Sequence, residues 1–396
     1  MRRDQPLFKD LRSFLSYLEN KDQLVRIREP VSVVHEMTEI HRRVLQNDGP
    51  ALLFESPIKA DGVAAEMPVL VNVFGTRERV AWGLGVNPEN LPNLGQALAE
   101  LSEPEPPRSP ADAMAKLPLA RGIMAMRPRH VESPPIHDIV WRDDSVDLTR
   151  LPVQICWPRE PAPLVTWPMV VTRPPDDETD ASVNVGIYRM QVLDRNRLIL
   201  RWLAHRGGAQ HHHLWKSRGL DMPVAIAIGA DPAAMLTAAL PLPETLSEFR
   251  FAGLLRGARL PLARCISVPL MVPAEAEIVI EGTVSPDETA PEGPFGDHTG
   301  YYNAVENFPV MRVSAITMRW KPIYISTFTG RPPDEPSRIG EVFNELLVPL
   351  LRKKIPEIVD LWLPPEACSY RIAIASISKR YPGQARRVML GLWSML

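Results

Sequence analysis

The apolar residues near the N-terminus recur with helical spacing. Five of them, at i, i+4, i+7, i+8 and i+11, share one face of a predicted helix: Leu7, Leu11, Phe14, Leu15 and Leu18. Apolar runs typical of strands follow at 51–56 (ALLFES) and 67–75 (MPVLVNVFG), and the second leads through Gly75-Thr76 into another helical pattern. This order predicts an N-terminal α/β domain over residues 1–125.

The pattern changes in the middle of the chain. Residues 103–110 (EPEPPRSP) are proline-rich and charged, so they are predicted to form a linker. From about residue 135 to 330 most segments are β-rich runs broken by Gly, Pro and Asp clusters, and Asp194-Arg195-Asn196 predicts a hairpin between 182–193 and 197–203. We therefore expect a β-barrel or sandwich in a central domain over 126–330.

Two helices are predicted to interrupt this central sheet. In MPVAIAIGADPAAMLTAAL a strand is followed by Asp231 as N-cap and Pro232 as the first residue of an alanine-rich helix. ETLSEFRFAGLLRG is predicted to be a helix that ends at Gly257.

Residues 331–396 have the pattern of the start of a C-terminal α/β domain. An amphipathic helix with a proline interruption precedes a strand (SYRIAIASI) and a last apolar helical pattern (RRVMLGLWSML). That last pattern ends at Leu396 with no cap and no visible partner for its apolar face. We therefore expect the chain to lack part of its natural C-terminus. The fold class is predicted to be α/β (α+β) in three parts.

Composition and charge narrow the function classes. The chain is 45% hydrophobic and 23% charged, which is typical of globular proteins that bury a core. The net charge of −2 provides no basic field, so no nucleic-acid partner is expected. The 42 prolines, spread between apolar segments, indicate many short strands and fixed turns.

Cysteine usage and the N-terminus predict a location in the cytoplasm. Cys156, Cys265 and Cys368 lie far apart without CxxC spacing, which favours a reducing compartment over a disulfide scaffold or a zinc ribbon. The N-terminal residues contain charges and do not form a signal peptide, and no run of about 18 apolar residues occurs.

The segment APEGPFGDHTGYY (290–302) contains the first candidate site. Glu292 and Asp297 lie five residues apart among three glycines that allow close backbone approach to a ligand. Paired carboxylates can hold and release a proton when burial or a neighbouring charge shifts one of them. An exposed acidic turn explains the stretch equally well.

Arg189, within NVGIYRMQV, is the second candidate. If it meets Glu292 or Asp297, its guanidinium would offer a fork to a carboxylic acid; otherwise it is an arginine on a wet strand face. Asn184, five residues earlier, lies on the opposite face of an ideal strand, where an ordinary polar residue is also expected.

The third candidate is RWLAHRGGAQHHHLW (201–215). Arg201 and Arg206 flank a Gly-Gly turn and could bind phosphate. The side chains of His211, His212 and His213 diverge in any regular element, so at most one of them is expected to be a metal ligand, and an exposed cluster is the simpler interpretation. Glu248, near a helix start, is also explained by the helix dipole alone.

Several enzyme classes are excluded by their missing motifs. The sequence contains no GxGxxG in a βαβ setting, no GxxxxGK[ST], no GxSxG and no HExxH. Rossmann dehydrogenases, P-loop NTPases, α/β-hydrolases and zincins are therefore not expected.

Taken together, the segments resemble one family. The chain is similar, nearly throughout, to the UbiD family of decarboxylases, and within it to the bacterial 4-hydroxy-3-polyprenylbenzoate decarboxylases of ubiquinone biosynthesis. The resemblance rests on seven blocks in this order: NVGIYRMQV, RWLAHRGGA, GADPAAML, TLSEFRFAGLLRG, APEGPFGDHTGYY, TGRPPDEPS and PEIVDLWLPPEACSYR.

The resemblance implies a cofactor, metals and an architecture. The cofactor is prenylated FMN, bound through a divalent metal, usually Mn²⁺, and often K⁺ at its phosphate. The central domain would be a split β-barrel of flavin-reductase type, and the C-terminal domain would make contacts in a homo-oligomer that is hexameric in relatives. Other implied partners are a flavin prenyltransferase that supplies the cofactor and a small aromatic acid, polyprenylated in this branch, which would allow peripheral contact with the inner membrane.

The resemblance also implies roles for individual residues. Asn184 and Glu248 match metal ligands, and His211 lies near the position of a third ligand. The cofactor-binding positions are Ile187, Tyr188, Arg189, Arg201, Trp202, Leu203, Arg206 and Gly207. Arg189, Glu292 and Asp297 match a catalytic network with Asp297 as the proton donor, and we expect the flavin to act as the electron sink when CO₂ leaves.

Two alternatives stay open. A related decarboxylase of a non-prenylated aromatic or α,β-unsaturated acid would share these residues; a long apolar groove would favour the prenylated substrate and a closed pocket the small one. A flavin-binding or assembly module without turnover belongs to another class, and it would have no need of Arg189, Glu292 and Asp297 together.

Overall fold

The structure is a computed structural model that describes residues 3–102, 108–243, 245–367 and 372–394. Its helices are α1 (Leu11–Glu19), α2 (Glu36–Gln46), α3 (Arg77–Leu84), α4 (Leu91–Ser102), α5 (Pro110–Ala125), α6 (Gly207–Lys216), α7 (Pro232–Ala239), α8 (Glu248–Arg256), α9 (Glu335–Lys354) and α10 (Gln384–Trp393). Its strands are β1 (Leu24–Ile27), β2 (Val31–Ser32), β3 (Ala51–Phe54), β4 (Pro57–Ile58), β5 (Val69–Val71), β6 (Arg129–His130), β7 (Ile139–Arg142), β8 (Leu164–Val165), β9 (Met169–Thr172), β10 (Asn184–Ile187), β11 (Met190–Val192), β12 (Arg197–Leu200), β13 (Met222–Ile228), β14 (Pro261–Arg264), β15 (Met271–Pro273), β16 (Ile278–Glu292), β17 (Glu306–Met318), β18 (Tyr324–Ile325), β19 (Ile358–Trp362) and β20 (Ile374–Ile377). This composition confirms the mixed α/β class.

The N-terminal part is built on a four-stranded sheet in the order β1-β3-β5-β18. Helix α1 buries four of the five predicted apolar residues, Leu11, Phe14, Leu15 and Leu18. The prediction that Leu7 belongs to this helix is wrong: the Asp10 side chain caps the helix by accepting a hydrogen bond from the Ser13 N–H, and Leu7 lies before the cap with 44% of its surface exposed.

The central part is a nine-stranded sheet in which β10 forms one end and β8 the other, with β11 beside β8. Tyr188 and Arg189 lead directly from β10 at one end of the sheet into β11, the strand next to the other end, so the sheet must curve back on itself. This curvature fits a split β-barrel, while the closer likeness to flavin reductases stays a prediction.

The predicted hairpin is present but shorter. Strands β11 and β12 pair antiparallel, with Met190 opposite Leu200. The first arm does not extend over 182–193, because β10 pairs with β9 instead.

The predicted helix ends near the site are confirmed. Asp231 caps α7 by accepting a hydrogen bond from the Ala234 N–H, and Pro232 is the first helical residue. Gly257 ends α8 in the left-handed conformation, at a φ of 62°.

The C-terminal part corrects two expectations. Helix α9 continues through Pro349 and is not interrupted there. Val388 and Leu392 of α10 are buried in a small core with Ile355 and Ile358, so the apolar face of this helix does have a partner. Its other side exposes Met389, Leu390 and Trp393, at 48%, 63% and 65%.

The linker and domain predictions are tested only in part. Residues 103–107 of the predicted linker lie outside the described residues, and Pro110 already begins α5, so the linker does not extend to residue 110. The boundaries at 125/126 and 330/331 stay predictions, although β18 pairs with the N-terminal strand β5. Within the described ranges, no helix combines the length and apolarity that a membrane crossing requires.

Candidate functional site

A buried ion pair between Arg189 and Glu292 forms the centre of the site. Arg189 Nε donates to Glu292 Oε1 at 2.8 Å and Nη2 donates to Oε2 at 3.2 Å, across 103 residues of sequence. The Glu292 side chain is 0% exposed and that of Arg189 16%. Asn303 completes the arrangement, because its Oδ1 accepts from Arg189 Nη2 at 2.9 Å. The two side chains meet because Glu292 is the last residue of β16 and Arg189 lies in the two-residue connection between β10 and β11, Tyr188-Arg189, which we call the β10–β11 crossing.

Asp297 lies in the turn that follows Glu292, but it does not bond directly to the pair. Its N–H donates to the Tyr301 carbonyl at 3.0 Å, and its carbonyl accepts from Gly300 at 2.9 Å. The Asp297 carboxylate contacts His298 Nδ1 and accepts from the His298 N–H at 2.7 Å. The hydrogen bond from His298 is the largest cause that lowers the pKa of Asp297 to about 2, and the Arg189 charge adds to it.

Arg201 lies on the other side of Glu292. Its Nε is 3.7 Å from Glu292 Oε2, and it is buried without a hydrogen-bond partner among the described residues. Burial, followed by the charge of Arg189, lowers the pKa of the Arg201 guanidinium. The neighbouring Trp202 is buried and its Nε1 also has no partner, whereas Leu203 is 36% exposed. These N–H groups are donors that a bound flavin could satisfy.

The start of α6 lies beside β10. Arg206 is the N-cap residue and Gly207 begins the helix. A Cβ on Gly207 would lie 2.2 Å from Asn184 Oδ1, so this position needs glycine for the helix to approach Asn184. The Gly208 N–H donates to the hydroxyl of the buried Tyr188 at 3.4 Å. A helix N-terminus held in this way is suited to an anion such as phosphate.

The three candidate metal ligands lie around the end of β9 and the start of β10, where Thr172 and Asn184 are paired. Asn184 Nδ2 donates to Thr172 Oγ1 at 3.5 Å, and this hydroxyl is 3.0 Å from His211 Nδ1. Glu248 Oε2 accepts from the N–H of Val185 at 2.8 Å, and burial raises the pKa of Glu248 to about 7. Amide oxygen, carboxylate and imidazole suit a divalent ion such as Mn²⁺.

These ligands are few in number. No group of three or more His, Cys, Asp or Glu side chains could hold a metal ion in the described part of the chain. Glu248 and His211 are two such side chains and Asn184 is an amide, so a metal here would need further ligands from the cofactor or water.

The three adjacent histidines diverge, as their spacing predicts. His211 turns toward Thr172, the His212 ring packs 5.6 Å from that of Trp202, and His213 is exposed. His211 is therefore the one histidine of the run that reaches the candidate metal site.

Sequence reasoning missed the segment that supports the Asp297 loop. Glu160 Oε2 accepts from the N–H groups of Cys156 and Trp157, at 2.7 and 3.0 Å, and its Oε1 accepts from that of Gly296 at 3.2 Å. A Cβ on Gly296 would lie 2.1 Å from Trp157 Cδ1. The only signal was the acidic residue in an otherwise loop-like WPRE sequence, which matches no motif.

A small, partly open cavity adjoins this support and Arg189. Its lining is mixed polar and apolar: Cys156, Trp157, Glu160, Leu164, Thr166, Arg189, Gly296 and Thr329. A guanidinium at the wall of such a cavity can bind a carboxylate.

Comparison with known proteins agrees with this geometry. Three models of one family match consecutive parts of the chain: the 3-octaprenyl-4-hydroxybenzoate carboxy-lyase N-terminal domain at 15–98, its Rift-related domain at 129–332 and its C-terminal domain at 337–396.

Several solved structures each align with 98% of this chain. Vanillic acid decarboxylase of Sedimentibacter hydroxybenzoicus, in closed form, is 26% identical with a TM-score of 0.83, and 78% of its chain is covered. The UbiD-class enzyme HmfF of Pelotomaculum thermopropionicum is 27% identical in two structures. An evolved dimeric form in complex with prenylated FMN has a TM-score of 0.81 and 83% coverage, and a complex with FMN has a TM-score of 0.80 and 80% coverage. The chain therefore belongs to the UbiD family, whose models match all three of its parts.

Proposed function

We propose that this protein decarboxylates an aromatic carboxylic acid with prenylated FMN as its cofactor. The observation that carries the proposal is the buried Arg189–Glu292 pair at the wall of a cavity, with Asp297 on the adjoining turn. Membership of the UbiD family and the likeness to HmfF in complex with prenylated FMN support it.

The cofactor would be held along the crossing between β10 and β11 and at the start of α6. Ile187, Tyr188 and Arg189 provide one side, and 201–203 provide another with the unpartnered donors of Arg201 and Trp202. Arg206 and Gly207 place the helix N-terminus where a phosphate would be stabilised. When bound, prenylated FMN supplies the electron sink for the charge left on the ring carbon as CO₂ departs.

A divalent metal, Mn²⁺ in our proposal, would be held by Asn184, Glu248 and His211 and would supply positive charge for the cofactor phosphate, and K⁺ is proposed as a second cation. The Glu248→Ala variant should lose cofactor and metal, measured by flavin absorbance and elemental analysis. The matched control is Glu36→Ala, because Glu36 also begins a helix and accepts from a strand N–H, that of Ser32 at 2.7 Å. Full occupancy in the Glu248 variant would contradict the assignment.

The residues of this chain would position the acid and move one proton. Arg189 can orient the substrate carboxylate, and Glu292 fixes the guanidinium plane through two hydrogen bonds. Asp297 is the proposed donor of the proton that replaces CO₂.

The proposed substrate is 4-hydroxy-3-polyprenylbenzoate, which would give 2-polyprenylphenol in ubiquinone biosynthesis. The family description, a 3-octaprenyl-4-hydroxybenzoate carboxy-lyase, supports this choice. A small hydroxylated aromatic acid is the second candidate, because the cavity has a mixed lining that includes Glu160, Cys156 and Thr166. A relative that acts on vanillic acid supports it too.

We propose a homo-oligomer that receives its cofactor from a flavin prenyltransferase in the cytoplasm, with peripheral contact to the inner membrane if the substrate is prenylated. Exposed apolar side chains on α10 support a protein interface, since such surfaces on a soluble unit are commonly covered. Light scattering of wild type and of Leu390→Glu would test it, and an unchanged monomer in both would contradict it.

The function is tested by expressing the protein with a flavin prenyltransferase and recording its absorbance and mass spectrum. The purified holoenzyme is then given 4-hydroxybenzoates with and without a prenyl chain, and CO₂ and phenol are measured. Absence of bound modified flavin would contradict the cofactor proposal. Bound flavin without CO₂ release from either class of acid would favour a binding module without turnover.

A further inference from the structure

Asp297 and His298 form a contact pair on the turn after β16. His298 Nδ1 touches Asp297 Oδ1, and the His298 backbone N–H donates to the same oxygen at 2.7 Å. Both side chains are 24% exposed, so solvent reaches the pair.

The pairing conflicts with Asp297 acting alone as the proton donor. A pKa of about 2 leaves only about one carboxyl in 10⁵ protonated at pH 7. A group that replaces CO₂ by a proton must carry that proton when CO₂ leaves. Imidazole is the side chain that normally takes up and releases a proton between pH 5 and 8.

We propose that His298 supplies the proton that Asp297 delivers, so that the two residues act as one acid. The inference rests on the proposed decarboxylation. The N–H of the protonated His298 ring gives its proton to the Asp297 carboxylate, and the carboxyl group so formed gives that proton to the carbon that has lost CO₂, which leaves Asp297 as a carboxylate again. The product gains one hydrogen, His298 becomes neutral, and a proton from water restores it. His298 acts through Asp297 and is therefore a positioning and proton-supplying residue.

The charges around the pair are compatible with this role. Arg189 and Arg201, from the crossing and from the end of β12, face Asp297 and favour its carboxylate form. The carboxylate of Asp334, the N-cap residue of α9, faces His298. Two further charged residues lie close by: Glu292, which is engaged by Arg189, and Arg331, whose side chain packs against Gly300 of the same turn.

The backbone of the turn also holds the pair in place. Glu160 fixes Gly296 on one side, and the Gly300 N–H bonds to the Asp297 carbonyl on the other. The Asp297 carboxylate can therefore exchange a proton with His298 without movement of the turn.

Two variants of the holoenzyme separate proton supply from structural support. In His298→Asn the amide nitrogen takes the place of Nδ1 and keeps a hydrogen-bond donor, but it cannot supply a proton at neutral pH. We expect kcat to fall about 10-fold or more with KM within twofold. In His298→Ala, added imidazole should restore kcat, and substituted imidazoles should do so according to their own pKa values. His130→Ala, at an exposed histidine of β6, is the control that imidazole should not affect.

A second experiment measures the pKa of Asp297 in the apoprotein and does not depend on enzymatic activity. Carbon-13 NMR of the Asp297 carboxyl should show its pKa rising from about 2 toward 3.8 in His298→Ala. Wild-type kcat in His298→Asn, or a slow His298→Ala enzyme that no imidazole rescues, would overturn this inference and leave the proposed function standing. A wild-type holoenzyme that releases no CO₂ would overturn both.

Discussion

Replacing Arg189 by methionine should destabilise the apoprotein by leaving the Glu292 carboxylate buried without its main partner. Glu292 is 0% exposed and loses hydrogen bonds of 2.8 and 3.2 Å. Among the described residues, its remaining side-chain partners are Asn303 Nδ2 at 3.4 Å and the more distant Arg201 Nε at 3.7 Å. Removing one partner of a buried ion pair costs about 3–5 kcal/mol, and the residual exposure of Arg189 favours the lower end of that range.

The assay is urea denaturation of the apoprotein, followed by tryptophan fluorescence. A matched control is Arg77→Met: Arg77 forms the same fork with Glu345, at 2.6 and 2.8 Å, but the side chains are 38% and 29% exposed. Because partly exposed pairs contribute little, this control should lose about 1 kcal/mol or less.

Two further observations make the reasoning refutable. The Arg189→Met variant should recover part of its free energy of unfolding as the pH is lowered toward 5, because a buried carboxylate that has lost its nearest cation takes up a proton more readily in the native state than in the unfolded chain. Adding Glu292→Gln to Arg189→Met should restore part of the loss at pH 7. Equal losses in the Arg189 and Arg77 variants, or no recovery in the double variant, would refute the buried-charge argument.

Three further results are expected. Gly296→Ala should lower the free energy of unfolding by about 1–3 kcal/mol, because its Cβ would lie 2.1 Å from Trp157 Cδ1; an unchanged urea midpoint would contradict this packing. Cys156 should resist iodoacetamide at pH 8 until the protein is unfolded, because burial raises the pKa of its thiol, and peptide mass spectrometry would detect any native labelling. The pKa of Asp297 is lowered from 3.8 to about 2, so its carboxylate stabilises the fold above pH 3.8 and this contribution is lost as the pH falls toward 2. In Asp297→Asn the free energy of unfolding should therefore fall less steeply than in wild type as the pH is lowered from 3.8 toward 2. The difference should be small, since Asp297 is half-buried, and equal slopes in the two proteins would argue against the lowered pKa.

The sequence predicted well those features that depend on local signals. Asp231, Pro232 and Gly257 mark helix ends through hydrogen bonds or backbone angles within a few residues, and all three are confirmed. Leu7 failed because the helical spacing extended past the start that Asp10 sets. Periodicity alone does not contain that capping information.

The candidate site was less predictable because its contacts are distant in sequence. Residue patterns could name Arg189 and Glu292, but their meeting across 103 residues was expected only from the family resemblance. Glu160 was missed, since its function is to accept backbone N–H groups of Trp157 and Gly296, and no side-chain motif records such a contact. Its pKa is raised by burial, which a sequence likewise does not reveal.

The β10–β11 crossing explains why the charges of the site meet where they do. Tyr188 and Arg189 belong to neither β10 nor β11, so the pleat that would place alternate residues on opposite faces stops before Arg189. The Arg189 carbonyl accepts from the Arg201 N–H at 3.3 Å, which brings the second guanidinium to the same carboxylate. In a continuous strand over 182–193, the face of the sheet on which the Arg189 side chain lies would have been set by the alternation of side chains along that strand. Because the strand breaks there, one short segment connects β10 with β11 across the sheet and also directs Arg189 toward Glu292, so a substitution that straightened it would weaken the fold and the site together.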